Sequence, residues 1–73
     1  MRNRVRELRL QRGMTQEEVA ERVGVSRQTI ISIESGRYNP SIVLAYKLAR
    51  SFSLSIEELF LCGEQIAPED HHE

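Results

Sequence analysis

The chain has 73 residues, 40% of them hydrophobic and 29% charged, which suits one small globular domain with no spare volume for a large internal active site. A single cysteine, Cys62, excludes an internal disulfide scaffold, while the lack of a long apolar run and the charge-broken start "MRNRVRELRL" exclude a membrane span and a signal peptide, leaving the cytoplasm as the expected location. The net charge of −1 hides a segregation: residues 1–50 hold ten Lys/Arg against five Asp/Glu, and residues 51–73 hold six acids and no Lys or Arg.

In chain order, the sequence predicts five short helices marked by caps. Asn3 is placed to cap the first, whose core face includes Val5 and Leu8 and which ends at Gly13. Thr15 caps the second, and with Glu18 it forms the capping-box pattern T-x-x-E. Ser26 caps the third, which ends near Ser35-Gly36. Ser41, after Asn39-Pro40, caps the fourth, where Ala45, Leu48, Ala49 and Phe52 share one face. Ser55 caps the fifth, with Glu58 completing a second box and Gly63 as its stop. Apolar pairs flanking three of these caps, Met14/Val19, Val25/Ile30 and Leu54/Leu59, have hydrophobic-staple spacing and support the same boundaries. No strand alternation, repeat or linker is visible. The expected organisation is an all-α domain over residues 1–63, followed by a flexible acidic tail over 64–73.

Only Gly24-Val25-Ser26 separates the second and third helices, and so short a turn requires a steep crossing. Ala20 is small enough for that contact, and Gly24 can take the left-handed conformation the turn needs. Val19, Val23, Val25, Ile30 and Ile33 supply the apolar contacts. Arg27, Gln28, Ile31 and Ser32 fall on the opposite side of the third helix from Ile30 and Ile33, at about 100° per residue. This is a helix-turn-helix pattern, in which the second helix enters the DNA major groove.

Residues Gln16 to Ser35 resemble the motif of the phage Cro/repressor family, also called the XRE family. The likeness extends over residues 3–61 through "RELRLQRGMTQEEVA", "GVSRQTI", "IESGRYNPS" and "LSIEELF". It implies a compact five-helix, lambda-repressor-like domain that binds double-stranded operator DNA as a homodimer. On that resemblance Arg27 and Gln28 meet base edges, where Arg can bond guanine and Gln can bond adenine in a bidentate way. Ser32 can donate to or accept from either kind of base, and Ile31 can pack on a thymine methyl. Ile31 departs from the polar residue that family members often carry there. Gln16, Thr29, Arg37, Tyr38 and Asn39 match phosphate-contacting positions, although Tyr38 and Asn39 serve equally well as turn residues. Arg9 and Glu34 match a structural salt bridge between the first and third helices. Lys47, Arg2 and Arg4 are further sources of nonspecific attraction.

No cofactor is expected. The lone Cys62 with His71 and His72 has no zinc-ligand spacing, and both histidines and the sole aspartate lie near the C-terminus, so neither a metal site nor catalysis is expected. Leu10 and Val43 fall off the core stripes, and Leu61, Cys62 and Ile66 follow the last helix. These are either isolated exposed apolar residues or part of a twofold interface. The expected function is a transcriptional regulator that blocks or recruits RNA polymerase. The rival readings are the antitoxin half of a toxin–antitoxin pair and a helix-turn-helix kept for protein interaction. Ser53, finally, stands at a helix end where relatives commonly have Gly or Asn, and a left-handed Ser there costs about 1 kcal/mol.

Overall fold

The structure, a computed structural model, describes residues 3–61. Helices α1 (Val5–Gln11), α2 (Gln16–Val23), α3 (Arg27–Glu34) and α4 (Ile42–Ser51) are followed by a π-helical turn, Glu57–Leu61. There is no strand among the described residues, so the architecture is all-α. Helix α2 packs on α3 and α4, α1 packs on α3, and the π-helical turn packs on α4. Between them lies one core that fully buries Val5, Val19, Ile30, Ile33, Leu48, Phe52 and Leu59.

Local chemistry explains the boundaries. Thr15 Oγ1 accepts from the Glu18 N–H at 3.0 Å while Glu18 Oε1 accepts from the Thr15 N–H at 2.7 Å, the reciprocal bonding of a capping box. Ser26 and Ser41 accept from the backbone N–H groups of Thr29 and Leu44, both at 3.2 Å. At the other ends, Gly13, Gly24, Gly36 and Ser53 all have positive φ. After α1, the N–H groups of Gly13 and Met14 donate to Leu10 and Arg9, and after α4 those of Ser53 and Leu54 donate to Arg50 and Ala49. Both are Schellman closures. Met14, Val25 and Leu54, the residues that follow Gly13, Gly24 and Ser53, all pack against the core. Each therefore ends one helix apolarly and staples the start of the next. That double use is how three connections of a few residues hold fixed angles.

Two expectations are corrected. Asn3 is not the cap of α1: that place falls to Arg4, which makes no side-chain cap bond. Asn3 acts one residue earlier, its Oδ1 accepting from the Val5 N–H at 3.0 Å while its Nδ2 donates to the Ile33 carbonyl at 2.9 Å. The amide spans from its own helix to α3, and a cap position would not let it reach both. The fifth helix has its capping box, with Ser55 and Glu58 exchanging bonds of 2.8 and 3.1 Å, yet continues as a π-helical turn. There the Leu59 carbonyl accepts from the Arg4 N–H at 2.9 Å, so the turn is tied to the start of the chain. The expected stop at Gly63, the tail, Cys62, Ile66 and both histidines lie outside the described residues, as does Arg2.

Candidate nucleic-acid interface

Helix α3 carries its two sequence-predicted faces in very different environments. Ile30 and Ile33 are 0% exposed, which fixes the rotation of the helix against α2. That rotation leaves Arg27 and Gln28 exposed in its first turn, with no side-chain hydrogen bond among the described residues. Ile31 and Ser32 are half-buried, so the outward surface is most open at the N-terminal end. The first turn of α3 holds no acidic residue, unlike that of α2 with Glu17 and Glu18. A cation at a helix N-terminus opposes the macrodipole. Arg27 therefore does not stabilise its helix there, and together with the first-turn N–H groups that the Ser26 cap does not take it forms a positive end suited to an anion.

Thr29 serves the cap: its hydroxyl lies 3.0 Å from the Ser26 hydroxyl, and its N–H bonds the same atom. Beyond α3 the chain turns back on the helix. The Ser32 carbonyl accepts from the Arg37 N–H at 3.0 Å, the Tyr38 N–H at 3.2 Å and the Ser35 hydroxyl at 3.0 Å. The segment carrying Arg37, Tyr38 and Asn39 is thus hung from a residue of the outward surface, and all three side chains are exposed. Any displacement of α3 carries this loop with it.

Behind the surface lies a charged network. Arg9 Nε donates to Glu34 Oε2 at 2.7 Å and Arg9 Nη2 to Glu34 Oε1 at 3.3 Å, while Arg9 Nη1 donates to the Met14 carbonyl at 2.9 Å. Both side chains are largely shielded from water. Gln16 Nε2 donates to Glu34 Oε1 at 3.2 Å. A carboxylate can only accept, so this contact turns the Gln16 amide by its nitrogen and leaves the carbonyl end without a partner among the described residues. Arg9, Glu34 and Gln16 tie α1 and the start of α2 to the end of α3.

The remaining expected cations are dispersed. Arg4 pairs with Glu7 at 3.4 Å on the surface, an arrangement that contributes little. Lys47 is exposed beside a cleft between α2 and α4 that Arg22 and Arg50 also line. Of the four arginines to which the sequence assigns no role, Arg22 and Arg50 line that cleft, and Arg6 and Arg12 are placed elsewhere by the fold. Arg6 is exposed on the outer side of α1. Arg12 Nη2 donates to the Phe52 carbonyl at 2.9 Å and its guanidinium stands 5.3 Å from the Phe52 ring centroid, satisfying a carbonyl at the end of α4. These partners are 40 residues apart, and no local pattern announces such a bond.

Comparison with known proteins matches residues 5–59 to a helix-turn-helix family model. An uncharacterized HTH-type transcriptional regulator of Archaeoglobus fulgidus is 55% identical over 65 residues, covering 89% of this chain and 93% of its own. The crystal structure of the restriction-modification controller protein C.AhdI from Aeromonas hydrophila superposes with a TM-score of 0.72 at 38% identity, over 78% of this chain and 86% of that one. The clp gene regulator ClgR from Corynebacterium glutamicum gives 0.69 at 28% identity, over 74% and 57%. All three carry the names of regulators: of transcription, of a restriction-modification system and of the clp genes.

Proposed function

The chain belongs to the XRE-type helix-turn-helix family of transcriptional regulators, and on that footing we propose that it reads one double-stranded DNA sequence as a homodimer on a palindromic operator. The observation that carries the reading is the open first turn of α3, where Arg27 and Gln28 are exposed at a helix N-terminus that is capped by Ser26 but holds no acidic residue in its first turn. An arginine fork and a glutamine amide are the side chains that bond guanine and adenine edges in pairs. Ser32 and Ile31, half-buried further along, add a hydroxyl and a methyl surface nearer the rim. Arg37 supplies a phosphate contact, and the Gln16, Thr29, Tyr38 and Asn39 positions hold the backbone in register.

The homodimer reading is supported by α4. Ile42, Val43 and Tyr46 are 70%, 60% and 55% exposed, three large apolar side chains within five residues on a helix whose other side is in the core. Pairing two copies through this side removes that surface from water. In a dimer of this type the two recognition helices stand about 34 Å apart, one turn of the duplex.

Selection of bound fragments from random duplex DNA tests the reading, followed by titration at two salt concentrations and sedimentation of the complex. Enrichment of an inverted repeat with half-sites about ten base pairs apart, bound by two copies, is the expected result. Binding without enrichment would remove the sequence-reading role of Arg27 and Gln28. Enrichment of a lone half-site bound by one copy would remove the dimer.

A further inference from the structure

A shallow groove separates the outer side of α1 from the beginning of α2 and runs to the proposed reading surface. Arg6 and Leu10 line it from α1, Gly13 from the turn, Gln16 and Glu17 from α2, and Arg27 from the start of α3. Arg6 and Leu10 are four residues apart, so they stack on one side of α1, and both are exposed. At Gly13 the groove is open: nothing lies within 4 Å of the place a Cβ would occupy.

The charges in this groove are unevenly committed. Arg9 is held by Glu34, whereas Arg6 and Arg27 have no ion pair among the described residues. Two uncommitted guanidinium groups, Arg6 and Arg27, thus share a groove with one carboxylate, Glu17. Glu17 belongs to the first turn of α2, where its charge favours the helix dipole; its presence is explained by helix stability. Among the described residues no carboxylate or carbonyl takes the Arg6 guanidinium in the same way.

We propose that Arg6 binds a backbone phosphate of the operator and extends the DNA interface from α3 across the groove onto α1, with Leu10 packed against the adjoining sugar. The proposal rests on the reading of α3 given above. A guanidinium can bond two phosphate oxygens at once, and an exposed arginine four residues from Leu10 can do so without disturbing the core. The contact carries no sequence information, because every nucleotide offers the same phosphate.

The test uses the full chain and compares wild type with Arg6→Ala, Arg6→Lys and Arg22→Ala on the selected operator and on a scrambled duplex, at ~50 and ~200 mM salt, after thermal melts show that each is folded. Arg6→Ala is expected to weaken binding to both duplexes by the same factor. Its log affinity should fall less steeply with log salt, by about 0.9 in slope for each bound copy and so about 1.8 for the dimer, so that the loss between the two salts is about tenfold smaller than for wild type. Arg6→Lys should recover the slope, and Arg22→Ala, on another side of the molecule, should leave it unchanged. Glu17→Gln should tighten binding to both duplexes. A wild-type slope in Arg6→Ala overturns the proposal, as does an equal change in Arg22→Ala, which would mark a net-charge effect. A wild-type protein that binds no duplex DNA overturns the α3 reading itself and takes this proposal with it, and the two failures are told apart by the wild-type titration alone.

Discussion

The molecule uses the same two residue types twice, in opposite ways. Arg9 and Gln16 sit behind α3, and Arg27 and Gln28 sit at its front. In the rear pair, Arg9 gives donors to Glu34 and to the Met14 carbonyl, and the Gln16 amide adds a third donor to Glu34. In the front pair no side-chain donor is used within the described residues. A polar side chain whose donors are filled by its own protein holds elements together. One whose donors face water, on a helix rigidly seated by two buried isoleucines, is available to something else. Residue type alone does not separate these roles; the bonds already made do.

Emptying the rear pair puts this contrast under the greatest stress. Arg9→Ala leaves the shielded Glu34 carboxylate without its guanidinium and is expected to cost about 3–5 kcal/mol of stability, read by thermal or urea unfolding. For a small domain that is a large fraction of the total. DNA binding would fall with the folded population, so lost binding in this variant is no sign of a base contact. A variant that melts together with wild type would show that the network holds nothing.

At the front, Gln28→Ala should leave the melting curve unchanged and cost about 1–3 kcal/mol on the selected operator, with discrimination relaxed at one base pair. Equal losses on operator and scrambled DNA would contradict a base-reading role. Arg37→Ala, at the loop hung from Ser32, should instead weaken all duplexes alike and flatten the salt dependence by about 0.9 in slope for each bound copy. The two variants divide the exposed surface into a part that specifies and a part that positions.

Much of this division is legible in the amino-acid sequence. Helices α2, α3 and α4 announce themselves because their caps are local, and for α2 and α3 a hydrophobic staple a few residues away agrees with the cap. The inward side of α3 follows from the spacing of Ile30 and Ile33. The pairing of Arg9 with Glu34 does not: it crosses 25 residues, and only likeness to a family points to it. Arg12 on the Phe52 carbonyl crosses 40 and has no sequence signal at all. Asn3 has the right chemistry for a cap, but a distant carbonyl on α3 draws its amide one position away. The capping box at Ser55 specifies a start without specifying the winding that follows, because the Leu59 carbonyl is engaged by the far end of the chain. The half-burial of Ser32 likewise depends on a loop folding back, which no periodicity contains.

The mildest change lies far from both pairs and separates stability from recognition. Ser53 closes α4 with φ of +60°, the one non-glycine with positive φ among the described residues. That conformation costs an L-residue at least about 1 kcal/mol, and up to about 2. Replacing it by glycine removes the strain but frees the unfolded chain, which takes back about 0.4–1 kcal/mol. Ser53→Gly should therefore stabilise the domain by a net ~0.5–1 kcal/mol, visible as a rise of a few degrees in Tm. The Schellman bonds of Ser53 and Leu54 use only backbone N–H groups and survive the change. Operator affinity should be the same as wild type at temperatures where both are folded. A Ser53→Gly protein that melts lower would mean that the serine hydroxyl contributes something its geometry does not reveal, and one that binds DNA differently would mean that the end of α4 reports to α3 through the core.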